Sequence, residues 1–146
     1  MGDCIAQSMQ IKLLVNPSNR DSWTQRGPNT VNRIIRVYTN LRNVLQGGGV
    51  RYSCIGSLCS SDEDAYTMVP ERGYRVRLCR RFWNNLSADD RAIVIIHEVA
   101  HNYYNTEDHG FRGLGSSHCL DQFIADSNNL PNRYPNACHN GDMTAC

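Results

Sequence analysis

The chain has 146 residues, with 15 lysines and arginines against 14 aspartates and glutamates, and 40% of its residues are hydrophobic. That length predicts one domain over residues 1–146. A net charge of +1 excludes the strong positive field of a dedicated nucleic-acid binder. The longest apolar run, residues 92–96, is far shorter than the roughly 20 residues of a membrane span. We therefore expect neither a nucleic-acid partner nor membrane insertion.

The cysteines are scattered along the chain rather than set in close pairs: Cys4, Cys54, Cys59, Cys79, Cys119, Cys138 and Cys146. This spacing does not fit a zinc knuckle. At this density in a small domain, it is typical of disulfides formed in an oxidising compartment, so we expect a secreted protein. The first residues lack the basic start and apolar stretch of a signal peptide. The sequence is therefore expected to be a mature form or a piece of a longer chain.

Two helices are predicted in the first third of the chain. The first begins near Asp3 and ends before Asn16-Pro17, because the residue before a proline disfavours helix. The second begins at Pro28 and keeps apolar residues at helical spacing as far as Leu45. The three glycines at 47–49 end it.

A small sheet and two more helices are predicted after the glycines. Strands are expected over residues 50–55, 65–69 and 74–79. In the third strand arginines alternate with apolar residues, which is typical of a half-buried strand. Ser87 and Asp90 resemble a capping box that starts a helix reaching about Tyr103, and a last helix is expected over residues 117–128. Helices packed on a small sheet define the α+β class.

Residues 97–101 read His-Glu-Val-Ala-His inside the most apolar stretch of the chain. Positions four apart share one face of a helix, so His97 and His101 can direct two imidazoles at one ion. Neutral imidazole suits Zn²⁺, and Glu98 is placed to take a proton from water. Polar groups in an apolar stretch need partners, and a metal provides one. The pattern predicts a zinc site with two histidine ligands and Glu98 as the catalytic base.

A catalytic zinc usually takes a third protein ligand in addition to water. The segment after the motif offers Glu107, Asp108 and His109, and their spacing does not choose among them. Glu107 lies six residues after His101, where another zincin class has its third ligand. That class has glycine at the position of Tyr104, which argues against it.

Three further segments carry a more specific pattern: Leu-Cys-Arg-Arg-Phe-Trp at 78–83, Arg-Ala at 91–92 and Asn-Thr-Glu-Asp-His-Gly-Phe-Arg at 105–112. Together with the His-Glu motif they resemble the fungal and bacterial aspzincins, in particular the peptidyl-Lys (lysine-specific) metalloendopeptidases related to deuterolysin. The resemblance extends over nearly the whole chain. It implies a single zincin-like domain of the α+β class, in which the active-site helix carries HExxH.

The resemblance also implies specific roles. Family members follow HExxH with a Gly-Thr-x-Asp segment whose aspartate binds zinc, and this chain matches at Thr106 and Asp108. Asp108 is then the third ligand, with His109 as the runner-up. The family's cysteine pairing implies the disulfides Cys4–Cys54 and Cys59–Cys79. It leaves open the pairing of Cys119, Cys138 and Cys146.

Two positions depart from the family pattern. The family has a tyrosine three residues after the aspartate ligand, which donates a hydrogen bond to the developing oxyanion. This chain has Phe111, which has no donor. Losing one such donor costs on the order of 10²–10³ in rate. We therefore expect either a slow enzyme or a substitute donor, for which three residues are close in sequence: Tyr103, Tyr104 and His109.

The second departure concerns the acidic pair that meets a substrate lysine in the family. Cys138 and Gly141 stand where those carboxylates belong, and Asp142 follows one residue late. Asp142 is therefore the candidate substrate-binding residue, and the lysine preference depends on it.

We interpret the chain as a monomeric, zinc-dependent endopeptidase acting on peptide or protein substrates. Two alternatives stay open. One is a toxin or effector domain from a larger secreted polypeptide, with a narrow target and an immunity or inhibitor protein as partner. The other is a zinc-bearing binding module without turnover, suggested by Phe111. Glu98→Ala separates the last alternative, because binding should survive this change and proteolysis should not.

Overall fold

The computed structural model describes residues 28–54, 58–69, 73–106 and 120–121. Helix α1 spans Pro28–Gln46 and confirms the predicted second helix. Its inner face buries Val37, Tyr38 and Leu41. The helix ends where Gly47 N donates to Asn43 O and Gly48 adopts a φ of 68°, a backbone conformation that glycine adopts without strain. The helix predicted to begin near Asp3 lies outside the described residues.

The three predicted strands are present, and each is shorter than predicted: β1 Arg51–Ser53, β2 Ala65–Tyr66 and β3 Arg75–Leu78. Strand β3 is central, parallel to β1 and antiparallel to β2. Its alternation is confirmed, because Val76 and Leu78 are buried while Arg75 is exposed. The hydrogen bonds between the strands end where the backbone enters the next element. Cys79, for example, becomes the N-cap of the next helix.

Two helices follow the sheet. The short helix α2, Arg80–Asn84, was not predicted from the sequence, because five residues are too few to show a helical period. Helix α3 spans Ala88–Tyr104, and its capping box between Ser87 and Asp90 confirms the predicted start. The side chain of Arg91 donates to the carbonyls of Phe82 and Trp83. These carbonyls belong to α2, so Arg91 fixes the beginning of α3 against the preceding helix.

The core lies where α1 and α3 meet the sheet. The side chains of Leu41, Val76, Ile96 and Val99 are fully buried there. Leu120 is buried in the same cluster, and it and Asp121 are helical. These two are the only described residues of the helix predicted over 117–128. Helices packed on a small three-stranded sheet confirm the α+β class. Within the described ranges, no helix is both long and apolar enough to cross a bilayer.

The disulfide Cys59–Cys79 is present and confirms the pair implied by the family resemblance. It joins the loop before β2 to the end of β3. Cys54 is also disulfide-bonded, and the cysteine proposed as its partner, Cys4, lies outside the described residues. The pairing of Cys119, Cys138 and Cys146 falls outside them as well.

Candidate metal centre

The centre is built on the C-terminal half of α3, which is the most buried helix segment described. Every residue from 93 to 100 is buried, including His97 and Glu98 at 7% exposure each. The apolar neighbours pack into the core and fix the rotation of the helix. Placing an imidazole and a carboxylate in such a segment is costly unless each has a polar partner. The partners of the two histidines account for this arrangement.

The end of α3 supplies the partner of His101. Asn105 adopts a left-handed conformation with a φ of 51°, and the helix ends there. The reversal brings the carbonyl of buried Thr106 back to His101 Nδ1 at 2.7 Å. A carbonyl oxygen only accepts hydrogen bonds, so His101 Nδ1 carries the proton. The neutral ring then presents its Nε2 lone pair on the opposite side.

Asp121 supplies the partner of His97. Its Oδ2 lies 2.6 Å from His97 Nδ1, and its side chain is almost fully buried. A carboxylate at this position accepts from Nδ1–H and leaves Nε2 of His97 as the free lone pair. The sequence analysis did not single out Asp121. The available signal was a charged residue next to Leu120, in a predicted helix with an apolar face.

The two Nε2 atoms, of His97 and His101, lie 3.0 Å apart. Both Nδ1 atoms are already donors, so two lone pairs face each other at this distance. That contact is repulsive unless a proton or a metal ion lies between the nitrogens. Two imidazole ligands of a tetrahedral zinc, each about 2.0–2.1 Å from the ion, lie about 3.3 Å from each other. The donor atoms and their separation therefore fit a zinc ion.

Helix α1 supports the Asp121 side of the centre. Tyr38 Oη donates to the carbonyl of Leu120 at 2.6 Å. The pKa of the Tyr38 hydroxyl is raised well above its usual value, first by burial and second by the negative charge of Asp121. Tyr38 therefore stays a neutral donor and fixes the backbone that carries Asp121.

The structure describes three of the predicted site residues, His97, Glu98 and His101, and places all three on buried or half-buried turns of α3. The predicted ligand Asp108 lies outside the described residues, as do its competitors Glu107 and His109. Phe111 and the candidate substrate residue Asp142 lie outside them too. Their positions in the site stay predictions.

Two tyrosines near the site were named as substitutes for the oxyanion donor missing at Phe111. The hydroxyl of Tyr104 donates to Val37 O on α1 at 3.4 Å. The ring of Tyr103 packs against the rings of Tyr74 and Tyr104. Both side chains thus have packing roles at the end of α3, and the hydroxyl of Tyr104 is directed to α1.

A second group of metal-type side chains lies away from α3. Ligand atoms of Cys59, Glu63 and Cys79 lie within 4.8 Å of one another. The two sulfurs are joined in a disulfide, and Glu63 accepts a hydrogen bond from Ser60 N at 3.1 Å. A disulfide sulfur is not a thiolate ligand, so this group is structural.

The fold and the centre define a class. An α+β domain whose buried helix brings two imidazole nitrogens together has the donor arrangement of a histidine-ligated metal-binding domain. The chain belongs to the aspzincin family: the model described as lysine-specific metallo-endopeptidase matches residues 22–132, about three quarters of the chain. No curated protein and no solved structure matches it significantly. The family implies a zinc-dependent metalloendopeptidase. Its members are typically extracellular, in agreement with the disulfide.

Proposed function

We propose that the protein is a zinc endopeptidase in which His97, His101 and Asp108 hold the ion and Glu98 is the general base and acid. One observation carries the proposal: the Nε2 atoms of His97 and His101 lie 3.0 Å apart, while each Nδ1 lies against an acceptor. With both rings neutral, the tautomers that these acceptors select place two Nε2 lone pairs opposite each other, which a metal ion between them would stabilise. A metal centre requires that arrangement.

The reaction follows from the positions on the helix. A zinc ion bound here supplies Lewis acidity, which polarises the scissile carbonyl and acidifies water. Glu98 takes a proton from the attacking water, whose oxygen forms a bond with the carbonyl carbon. The C–N bond then breaks, and Glu98 returns the proton to the leaving amine. Because Glu98 is buried within α3, its carboxylate is held on the helix that carries both imidazoles.

The domain extent, location, oligomeric state and substrate contact are proposed from the sequence and the family resemblance. The proposal assigns the whole range 1–146 to one catalytic domain, secreted and monomeric, with a peptide or protein as substrate. Neither nucleic acid nor a membrane is part of it. A lysine side chain in the substrate would meet Asp142. If the chain is an effector domain with a narrow target, an immunity or inhibitor protein is the expected partner.

The test compares wild type, Glu98→Gln and a matched control, Asp89→Asn. Asp89 is an exposed carboxylate in the first turn of the same helix. Each variant is incubated with a denatured protein mixture, and the products are mapped by mass spectrometry. We expect chelator-sensitive cuts by wild type and the control, none by Glu98→Gln, and one bound zinc in all three.

The cleavage positions decide the specificity. Cuts clustered at lysine that disappear in Asp142→Asn support the proposed lysine contact, and cuts at other residues refute it. Bound zinc without cleavage by wild type would refute the general endopeptidase. It would leave the narrow-target effector or the binding module, and Phe111→Tyr would then be tested for gain of cleavage.

A further inference from the structure

One face of the sheet carries arginines. Side chains alternate along a strand, so Arg75 and Arg77 point away from the core that receives Val76 and Leu78. In the parallel pairing of β1 with β3, Arg51 is the partner of Arg75 and Ser53 that of Arg77. The arginine face is defined here as Arg51, Arg75 and Arg77.

Two of these arginines are like charges in direct register. Arg51 and Arg75 are both exposed, and neighbouring strands lie about 4.8 Å apart. Like charges directly opposite each other destabilise a sheet. Among the residues that the structure describes, neither guanidinium has an ion-pair partner. Two described carboxylates of the segment before β2 are engaged elsewhere: Asp64 pairs with Arg81, and Glu63 accepts from Ser60 N.

The third arginine is held in place by an aromatic ring. The guanidinium of Arg77 lies 5.5 Å from the ring centroid of Tyr66, its partner residue on β2. This contact orients the guanidinium and reduces the entropy lost when it binds an anion. The face therefore combines a repelling pair with a positioned third charge.

The spacing matches an extended acidic chain. Residues two apart on β3 lie about 6.6 Å apart, which is also the repeat of same-side side chains on an extended peptide. Arg75 and Arg77 can thus meet alternate carboxylates of one segment, while Arg51 widens the face by one strand. A net charge of only +1 gives little long-range attraction for a nucleic-acid backbone. Because the repeat of the arginines matches that of an extended peptide, an acidic polypeptide is favoured over nucleic acid.

We propose that the arginine face binds acidic polypeptide segments and thereby recruits acidic protein substrates. The recruiting part rests on the proposed endopeptidase function, whereas the binding part does not. Because the core side of the sheet packs against α3, this face is separate from the metal centre. It would act as a docking surface for substrate regions remote from the cleavage point.

Binding is tested in the zinc-loaded Glu98→Gln chain, so that no probe is cleaved. The probe is a fluorescent oligoglutamate, with oligoglutamine of equal length as the neutral reference. Arg51→Gln/Arg75→Gln is compared with Arg36→Gln/Arg42→Gln, which removes two exposed arginines from α1. Both double variants lose the same net charge. We expect the first to weaken oligoglutamate binding about fivefold or more, and the second to leave it within about twofold.

Salt provides an internal check, because about 0.5 M NaCl should remove the difference between the variants. Equal affinities of the two double variants would overturn the proposal, as would the absence of oligoglutamate binding by the parent chain. A single-stranded oligonucleotide that binds more tightly through the same two arginines would also overturn it in favour of nucleic acid.

Recruitment is tested separately with the active chain. Two substrates share one cleavable segment, flanked by glutamates in one and by glutamines in the other. We expect Arg51→Gln/Arg75→Gln to lower kcat/KM for the acidic substrate alone, mainly through KM. Equal losses on both substrates would refute recruitment. If neither substrate is cut by the wild type, the endopeptidase proposal fails, and the oligoglutamate result still decides the binding proposal.

Discussion

Tyr38 and Leu120 are joined by a 2.6 Å hydrogen bond from the tyrosine hydroxyl to the leucine carbonyl, although they lie 82 positions apart in sequence. The next residue, Asp121, holds His97 Nδ1. Among the described residues, two consecutive hydrogen bonds therefore connect helix α1 to the metal centre. Both bonds are buried, so the packing of α1 on α3 and the orientation of His97 depend on each other.

Removing the Tyr38 hydroxyl should weaken both the fold and the metal site. Tyr38→Phe leaves the carbonyl of Leu120 buried without this donor, which costs about 1–3 kcal/mol of unfolding free energy. The released backbone should also lower zinc affinity through Asp121. Urea unfolding and competition with a chelator measure the two effects. Tyr104→Phe is the control, because its hydroxyl makes a longer, 3.4 Å bond to Val37. Equal losses in both variants would contradict this role of Tyr38.

Alkaline pH should destabilise the fold through the same tyrosine. In the unfolded chain Tyr38 ionises near its ordinary pKa of about 10. In the folded chain burial, and then the charge of Asp121, raise the pKa well above that value. The folded state thus keeps a proton that the unfolded state has lost, and stability falls as pH rises beyond about 10, by up to about 1.4 kcal/mol per pH unit for one proton. Below that pH this contribution is constant.

The measurement is the urea unfolding free energy at a series of pH values from about 8 to 11. Tyr38→Phe should show a smaller loss across the alkaline range than wild type. A residual loss is expected, since burial also raises the pKa values of Tyr52 and Tyr104. Identical alkaline slopes in wild type and Tyr38→Phe would exclude Tyr38 as the responsible group.

Asp121 should act as a positioning residue for the metal rather than as a catalytic residue. Asp121→Asn keeps the size of the side chain and one accepting oxygen. It removes the negative charge that the carboxylate of Asp121 places beside His97. We expect a 10-fold to 100-fold loss of zinc affinity, the approximate range for such carboxylates behind a histidine ligand, and a larger loss in Asp121→Ala. Activity at saturating zinc should recover more fully in Asp121→Asn than in Asp121→Ala. If both variants bind zinc as tightly as wild type, the Asp121–His97 bond does not support the site.

Local signals in the sequence account for most of the described fold. The capping residues Ser87 and Asp90 predict the start of α3, and the glycines at 47–49 predict the end of α1. Alternation in β3 predicts which of its faces is buried. Helix α2 escapes such patterns because it is only five residues long and is stabilised by Arg91, a residue of the next helix.

In the candidate metal centre, too, some residues can be predicted from their spacing within one helix, and others depend on how distant segments pack. His97 and His101 are recognised from their spacing within one helix, since four residues bring them to one face. Asp121 could not be assigned in the same way, because its contact with His97 spans 24 positions and depends on how a later helix packs. Likewise, the carbonyl of Thr106 becomes a partner of His101 only because Asn105 reverses the chain.

The segment after β2 should be coupled to the end of α3 through Thr67. Its hydroxyl donates to Arg75 O at 2.9 Å and accepts from the side-chain amide of Asn102, the residue next to His101. This bond orients the amide, and Asn102 Oδ1 is buried without a partner among the described residues. Thr67→Val keeps the shape of the side chain but leaves the amide of Asn102 with only its longer, 3.5 Å contact to Arg75 O among the described residues.

We expect Thr67→Val to cost about 1–2 kcal/mol of unfolding free energy, with a lower kcat/KM, because the last turn of α3 carries a proposed zinc ligand. Thr67→Ser retains the hydroxyl and should stay close to wild type in both measurements. Urea unfolding and initial cleavage rates at saturating zinc provide the comparison. If the valine and serine variants lose stability equally, the methyl group of Thr67 matters rather than its hydroxyl, and the coupling to Asn102 is refuted. If only the valine variant loses stability while its cleavage rate is unchanged, the network stabilises the fold without positioning His101.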